Sequence, residues 1–478
     1  MVIASAMQPI WRFMVENNTQ LKEMIRSMVI DLLQGQKQEA ASSQPVKQAP
    51  RGQVEPGVFD TVDDAIQAAK AAQARFEDCT LATREKVIAD IRAAMRPRVQ
   101  ELAQKTVEET GMGRVADKVL KLNLTLDKTP GVEDLVTECE TGDNGMTLYE
   151  LSAYGVIGAI TPSTNPAETL ICNTIGMLAA GNAVFFSVHP GAKHLSRLLV
   201  SELNQIIAKS IGIENLIVTL REPSIESAQE MMLHPDVSLL VVTGGPGVVK
   251  QALQSGKKVI GAGAGNPPAF VDETADIKKA AQDIVLGASL DNNILCIAEK
   301  SVVAMRQIEP QLVQEMVKVG CVLIDNQQDI QRLVDLTVLP NGTPNKKFVG
   351  KNASVILDAA HIPYNGDPRL IIMRTPKNHP FAVIEMLMPI LPVVTVDSFD
   401  EGIDVCLMLE AGLHHTATMH SLNMERLNRM ARKMKTSIFV KNGPSYAGLG
   451  FSGEGTTTFT IATPTGESTT SARCFARR

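Results

Sequence analysis

The chain has seven cysteines in 478 residues, at 79, 139, 172, 296, 321, 406 and 474, with no C-x-x-C pair. A scattered, odd-numbered set excludes a disulfide framework and a thiolate zinc site, and it points to a reducing compartment. No run approaches the ~18 consecutive apolar residues that a membrane helix needs. There is no long basic run and the formal net charge is −6, so nucleic acid is not an expected partner. No secretory signal is legible: Arg12 and Glu16 interrupt the first apolar stretch, and no basic segment precedes it. No internal repeat is visible. What remains is 44% hydrophobic and 21% charged, ordinary for a soluble globular protein. The length suits two or three domains of about 150 residues each, and the expected location is the cytoplasm.

The first segment stands apart. Residues 19–34 have helical periodicity, with Leu21, Met24, Ile25, Met28 and Leu32 on one stripe, Thr19 as N-cap and Gly35 as stop. A helix of this length is not stable alone in water, so its apolar face needs a partner. That partner is either the body of the protein or a neighbouring subunit, or a separate surface to which the helix docks as a peptide. The Gln, Ala, Ser and Pro-rich stretch at 36–56 is a flexible linker. The globular body starts at Gly57. Residues 60–76 and 81–109 read as helices, and Asp143-Asn-Gly145 marks a hairpin.

From Val156 onward apolar strands alternate with helices. The strands fall at 156–160, 184–188, 217–220 and 239–242, and the helices at 167–178, 193–211 and 224–232. A second alternating block runs from Gly265 to about Thr436, with helices near 276–290 and 422–434. Such alternation predicts an α/β fold with parallel sheets covered on both faces.

Several turns carry candidate chemistry. Thr243-Gly244-Gly245-Pro-Gly247 joins a strand to a helix, where glycines admit a ligand to the backbone and helix N–H groups face it. Those residues alone leave a phosphate site and a structural turn equally open. Gly261-Ala262-Gly263-Ala-Gly265 starts like a dinucleotide fingerprint, but Asn266-Pro-Pro268 and a strand follow it, not a helix. His414, His415 and His420 have no acidic or cysteine partners at metal-ligand spacing, so no metal is expected, and one of them could carry a proton. Cys172, Cys321 and Cys406 lie in apolar surroundings and are expected in the core. Cys296 ends Gly287-Ala-Ser-Leu-Asp-Asn-Asn-Ile-Leu-Cys296, downstream of the glycine-rich stretch.

Taken together, these motifs resemble the CoA-acylating branch of the aldehyde dehydrogenase superfamily, in particular the propionaldehyde and acetaldehyde dehydrogenases of bacterial microcompartments. Thr129-Pro-Gly-Val-Glu133, Ala262-Gly-Ala-Gly-Asn-Pro-Pro268, His379-Pro-Phe-Ala382 and Thr463-Pro-Thr-Gly466 carry the likeness from about Gly57 to the end. The resemblance implies a Rossmann-like cofactor domain over 57–260, with the hairpin near 137–151 in a small β oligomerisation element. It further implies a catalytic α/β domain over 261–440 and a segment, 441–478, that returns to the cofactor domain. Residues 1–35 then correspond to an encapsulation peptide that binds shell proteins. A dimer or tetramer is expected.

The resemblance also assigns roles. Cys296 is the nucleophile. Thr161-Pro162-Ser-Thr164-Asn165-Pro166 matches a segment whose asparagine donates to the oxyanion; the register leaves Thr164 and Asn165 open, with Asn165 favoured. Thr161, Pro162, Ser187, His189, Thr243, Gly244, Gly245, Ala262, Gly263, Glu385 and Leu387 fall on cofactor positions. Ser187 replaces the usual lysine, and Pro190 the usual glutamate, at the adenosine ribose, so NAD is expected with NADP open. Hydrolytic members carry a water-activating glutamate where this chain has Ala262. Coenzyme A is therefore the implied acyl acceptor for a short-chain aldehyde. A hydrolytic enzyme with a recruited base such as Glu299, and a non-catalytic scaffold, are the alternatives.

Overall fold

The computed structural model describes residues Glu55–Arg478, which form one compact unit. The helix expected at 19–34 lies outside the described residues. Two parallel sheets organise the unit. The first has six strands in the spatial order Val58–Phe59, Ile217–Leu220, Ala183–Val188, Val156–Thr161, Val237–Thr243 and Lys258–Ala262. All its pairings are parallel. Apart from the short first strand, the order steps outward from Val156–Thr161 on one side and then jumps to Val237–Thr243 on the other. That reversal is a topological switch point, and ligands of open α/β sheets bind in the crevice outside the carboxyl ends of the strands there. The Rossmann-like arrangement is thus present without the usual glycine fingerprint.

The second sheet has seven strands, also all parallel: Cys321–Leu323, Leu370–Arg374, Ile390–Val396, Ser301–Met305, Pro268–Val271, Thr416–His420 and Ile438–Lys441. Each sheet has its own apolar core, one around Ile157, Val184 and Leu240, the other around Phe270, Val303 and Val394. Because strands such as Val156–Thr161 and Ala183–Val188 are covered on both faces, their sequences are continuous apolar runs with no alternation.

One local expectation needs correction, and one helix was not foreseen. Residues 81–109 are not one helix: Leu81–Met95 stops at the one-turn 3₁₀ segment Arg96–Arg98 and Val99–Thr110 follows. Pro97 cannot donate the helical N–H, which breaks the ladder there. Helix Val115–Lys128 gave no sequence signal, yet it carries Lys118 and Lys121 into the interior. The hairpin forms as expected, with Glu138–Gly142 against Gly145–Tyr149 and every residue exposed. The C-terminal residues pair back on the chain, Ala476 and Arg477 against Ala153 and Ser152.

Candidate active site

The first sheet offers the carboxyl ends of its strands: Thr161, Val188, Thr243 and Ala262. The second sheet offers the amino ends of its strands, beginning at Pro268, Ser301, Ile390 and Thr416. Residues 263–267 cross from one sheet to the other. Parallel strands put all like ends on one edge, so residues distant in sequence meet at these two edges.

Cys296 sits in the segment between helix Ile277–Ser289 and strand Ser301–Met305. This segment is held under strain. Asp291, Asn292 and Asn293 all have left-handed backbones, with φ of 49°, 56° and 66°. Asp and Asn tolerate that region best among residues with a Cβ, at a cost of roughly 1–2 kcal/mol each. Such strain persists only where the surroundings over-determine it. Here the Asp291 carboxylate accepts Arg114 N–H at 2.8 Å and Lys118 Nζ at 3.0 Å. Asn292 donates to Gly350 O at 2.9 Å, and Asn293 donates to Ala288 O at 2.7 Å. Lys300 Nζ spends its donors on Asn293 O and Asn293 Oδ1, both at 2.7 Å, and on Leu295 O at 2.9 Å.

Gly265 passes directly over the nucleophile. A Cβ there would lie 2.7 Å from Cys296 O and 2.8 Å from His415 Cγ, so only glycine fits. Its N–H donates to Glu385 Oε1 at 3.2 Å. Cys296, Gly265, Glu385, Lys300 and His415 therefore converge. Burial is the largest influence on all the titratable members. It pushes the Cys296 thiol up to about 12, helped by Glu385 and opposed by Lys300. It raises Glu385, brings Lys300 down to about 8 and brings His415 down to about 4. The resting nucleophile is a neutral thiol. His415 is a buried neutral ring with Nδ1 2.9 Å from Thr416 Oγ1, whereas His414 is exposed and His420 is buried 3.9 Å from Asp283.

Glu299 lies three residues beyond the nucleophile but is not free. Its oxygens accept Ser445 N–H at 2.8 Å and Ser445 Oγ–H at 2.7 Å, and they press on Gly287, where a Cβ would come within 2.2 Å. Burial raises its carboxyl to about 7. Ala262, at the end of its strand and 4% exposed, contributes only a methyl group.

On the first sheet, Asn165 occupies the N-cap of helix Pro166–Ala179. Lys121 Nζ donates to its Oδ1 at 2.5 Å, while its Nδ2 makes only a 3.4 Å contact with Thr164 Oγ1. Thr164 offers its carbonyl to Lys118 Nζ at 3.1 Å. Asn165 Nδ2 therefore keeps N–H groups to donate, and the Thr164 hydroxyl, which only accepts here, keeps its own hydrogen. Lys118 and Lys121 are site residues that the sequence did not disclose.

Of the positions expected to meet the cofactor, Thr161, Pro162, Ser187, His189 and Thr243–Gly245 lie at or just beyond the carboxyl ends of first-sheet strands. Thr161 ends its strand with a buried Oγ that has no partner, and Pro162 follows it at the half-buried turn. Ser187 pairs in register with Ile160, and His189 Nδ1 accepts Gly191 N–H at 3.0 Å. Thr243 Oγ1 lies 2.8 Å from Thr460 Oγ1, and Gly244 N–H donates to Ala262 O at 3.3 Å. Gly245 caps helix Pro246–Leu253, and a Cβ there would meet nothing within 4 Å. An open helix N-terminus, an orphaned hydroxyl and the Glu385 carboxylate fit a dinucleotide's diphosphate and ribose groups. Gly263 packs on Pro464, and Leu387 has a left-handed backbone whose carbonyl accepts Gly350 N–H at 2.9 Å.

This chain is similar to proteins of known activity. It is 51% identical over 462 residues to the propanal dehydrogenase (CoA-propanoylating) of Salmonella typhimurium, covering 96% of this chain and 97% of that one. It superposes with a TM-score of 0.87 and 50% identity on a Rhodopseudomonas palustris propionaldehyde dehydrogenase crystallised with bound CoA and an acylated cysteine, covering 89% and 97% of the two chains. A propionaldehyde dehydrogenase from the Clostridium phytofermentans fucose utilisation bacterial microcompartment also superposes at 0.87, with 47% identity over 88% and 97%. The aldehyde dehydrogenase family profile matches residues 33–462, and with the two-sheet fold and a cysteine at their junction the chain belongs to the aldehyde dehydrogenase family.

Proposed function

We propose that the chain is a CoA-acylating aldehyde dehydrogenase that converts a short-chain aldehyde, NAD and coenzyme A to acyl-CoA and NADH. One observation carries the choice of acceptor. Among the described residues near Cys296, Ala262 supplies no carboxylate where a water-activating glutamate would stand, and Ser445 holds both oxygens of Glu299. The R. palustris relative, with CoA and an acylated cysteine, supports the same reading.

Cys296 attacks the aldehyde carbonyl once its thiol has lost its proton, forming a thiohemiacetal. Asn165 Nδ2 and backbone N–H at Cys296 hold the developing oxyanion, where fixed donors act most strongly. The nicotinamide, when bound, accepts the hydride. A thioester then remains on Cys296, with no water-activating carboxylate at Ala262, until the thiol of CoA takes the acyl group and Cys296 leaves as the thiolate. The first sheet accordingly serves the cofactor and the second the nucleophile. Ser187 and Pro190, in place of the usual lysine and glutamate at the adenosine ribose, admit NADP as well as NAD.

Without CoA the enzyme should form at most about one equivalent of reduced cofactor per site and stall. CoA should restart turnover and yield acyl-CoA. Rapid steady-state release of free acid without CoA would move the chain to the hydrolytic branch. Ala262→Glu should raise hydrolysis at the expense of CoA transfer.

We further infer a homo-oligomer and packaging in a microcompartment. The hairpin with exposed Met146 (65%) and Leu148 (53%) supports the former. The stripe of Leu21, Met24, Ile25, Met28 and Leu32, together with the C. phytofermentans microcompartment relative, supports the latter. Deleting residues 1–53 should leave turnover nearly unchanged and abolish capture by shell proteins; capture of the truncated enzyme would defeat the docking role.

A further inference from the structure

Helix Val115–Lys128 points two lysines inward, and both are buried, Lys118 at 0% and Lys121 at 2% exposure. Buried ammonium groups are costly unless paired, so their partners define what they are for. Lys121 Nζ lies 2.5 Å from Asp291 Oδ2, 2.9 Å from Glu168 Oε1 and 2.5 Å from Asn165 Oδ1. Lys118 Nζ takes the other approach to Asp291, at 3.0 Å, and reaches Thr164 O. Two cations thus face two carboxylates, one on the Cys296 segment and one on the helix that Asn165 caps.

An ammonium group can only donate. The atom of Asn165 that meets it must therefore be the amide oxygen, which fixes the flip of the side chain and turns Nδ2 away. Nδ2 has only a long contact with Thr164 Oγ1 and is the donor left over. The same ammonium grips Asp291, the first of the three left-handed residues leading to the nucleophile. One side chain therefore ties the proposed oxyanion donor to the segment that presents the thiol.

We propose that Lys121 is a positioning residue of the dehydrogenation step: it acts through Asn165, holding its amide oxygen so that Nδ2 faces the oxyanion formed at Cys296. This rests on the assignment of Asn165 as the donor. Misplacement of a preorganised donor costs rate rather than substrate affinity, because the charge it serves exists only in the transition state.

The test is a double-mutant cycle on the full chain, with Asn165→Ala, Lys121→Met and the pair, read as kcat, KM and the rate of Cys296 alkylation by iodoacetamide. Asn165→Ala should lower kcat by about 100-fold or more. Lys121→Met should lower kcat at least tenfold with KM within threefold and alkylation within twofold of the parent. The pair should fall within threefold of Asn165→Ala alone, since groups acting as one unit are not additive. If Lys121→Met does not fold, Lys121→Leu, which likewise donates nothing to Asn165 Oδ1, enters the cycle on the same terms. Multiplicative losses, parental kcat in the lysine variant, or alkylation falling in step with kcat would each overturn the positioning role. Parental kcat in Asn165→Ala would remove the oxyanion assignment itself, and the positioning role with it, while leaving the CoA-dependent activity standing.

Discussion

Lys121 and Lys300 are equally buried, at 2% and 3% exposure, and stand at opposite ends of the same strained segment, yet their acidities move in opposite directions. Burial works to lower both. Lys121 faces Asp291 and Glu168, whose charges outweigh that loss and raise it. Lys300 hydrogen-bonds only to the neutral oxygens of Asn293 and Leu295, and burial outweighs the nearby Glu385, Cys296 and Glu299, so it drops to about 8. A neutral acceptor holds an ammonium in place without compensating fully for its lost hydration. The difference assigns distinct work to the two ends. At the Asp291 end Lys121 is locked in its charged form and serves geometry, although burial and the neighbouring Lys121 charge lower Lys118. Near Cys296, Lys300 at about 8 and Glu299 at about 7 lie close to changing protonation state, as groups that move protons must.

The largest effect expected at the titrating end is loss of the nucleophile. Cys296→Ala should reduce aldehyde oxidation by on the order of 10⁴-fold or more, because it deletes the covalent path. The fold should survive, as the segment is anchored through Asp291, Asn292, Asn293 and Lys300 rather than through sulfur. Near-parental steady-state turnover of the variant would refute the mechanism. The next effect separates the two lysines. Lys300→Met removes the cation that lowers the Cys296 thiol, so its alkylation below pH 8, where Lys300 is charged, should slow clearly, by more than the twofold allowed for Lys121→Met. Lys121→Met should leave alkylation within twofold. Equal slowing in the two variants would dissolve the contrast between the ends. In the parent enzyme without cofactor, alkylation should climb about tenfold per pH unit from 6 to 7, below the Lys300 transition near 8, since the thiol ionises only near 12. A plateau below pH 8 would contradict the neutral resting thiol.

The same contrast marks what the sequence disclosed. Strands and turns around Thr161–Asn165, Thr243–Gly245 and Gly261–Pro268 were legible, because apolar runs bounded by Gly and Pro have few other readings. Cys296, Glu385 and Ala262 stood out through the family likeness. The locked end was invisible. Lys118 and Lys121, with Asp117 beside them on a helix, have the composition of a solvated face, and charged residues are seldom fully buried. Their partners, Glu168 and Asp291, come from two other elements, so only the fold brings the charges into balance. The Asp291-Asn-Asn293 run was the one available sign, as those residue types tolerate left-handed backbone. The Glu299-Lys300 pair likewise reads as surface, although both residues are interior.

Glu299 permits the smallest and most selective prediction. It is a buried acid with neutral partners, the carboxylate counterpart of Lys300. Its folded-state value, about 7, lies above its ordinary 4.5. Between those values the folded chain holds a proton that the unfolded chain has released, so stability falls as pH rises from 4.5 to 7 and the penalty is complete above 7. Full linkage over that interval amounts to roughly 3 kcal/mol. Glu299→Gln cannot titrate, yet its carbonyl can still accept Ser445 N–H while Ser445 Oγ reverses to accept from its amide. The variant should therefore lose stability relative to the parent at pH 5 and recover most of that deficit, or exceed the parent, at pH 8. Thermal unfolding of both proteins at the two pH values measures the change. The variant should also stall without CoA as the parent does, because Ser445 keeps this carboxylate from activating water. A deficit that is constant with pH would mean Glu299 is ionised throughout and charge-paired like Asp291, erasing the distinction between the two ends; restored free-acid release in the parent, lost in the variant, would make Glu299 the hydrolytic base.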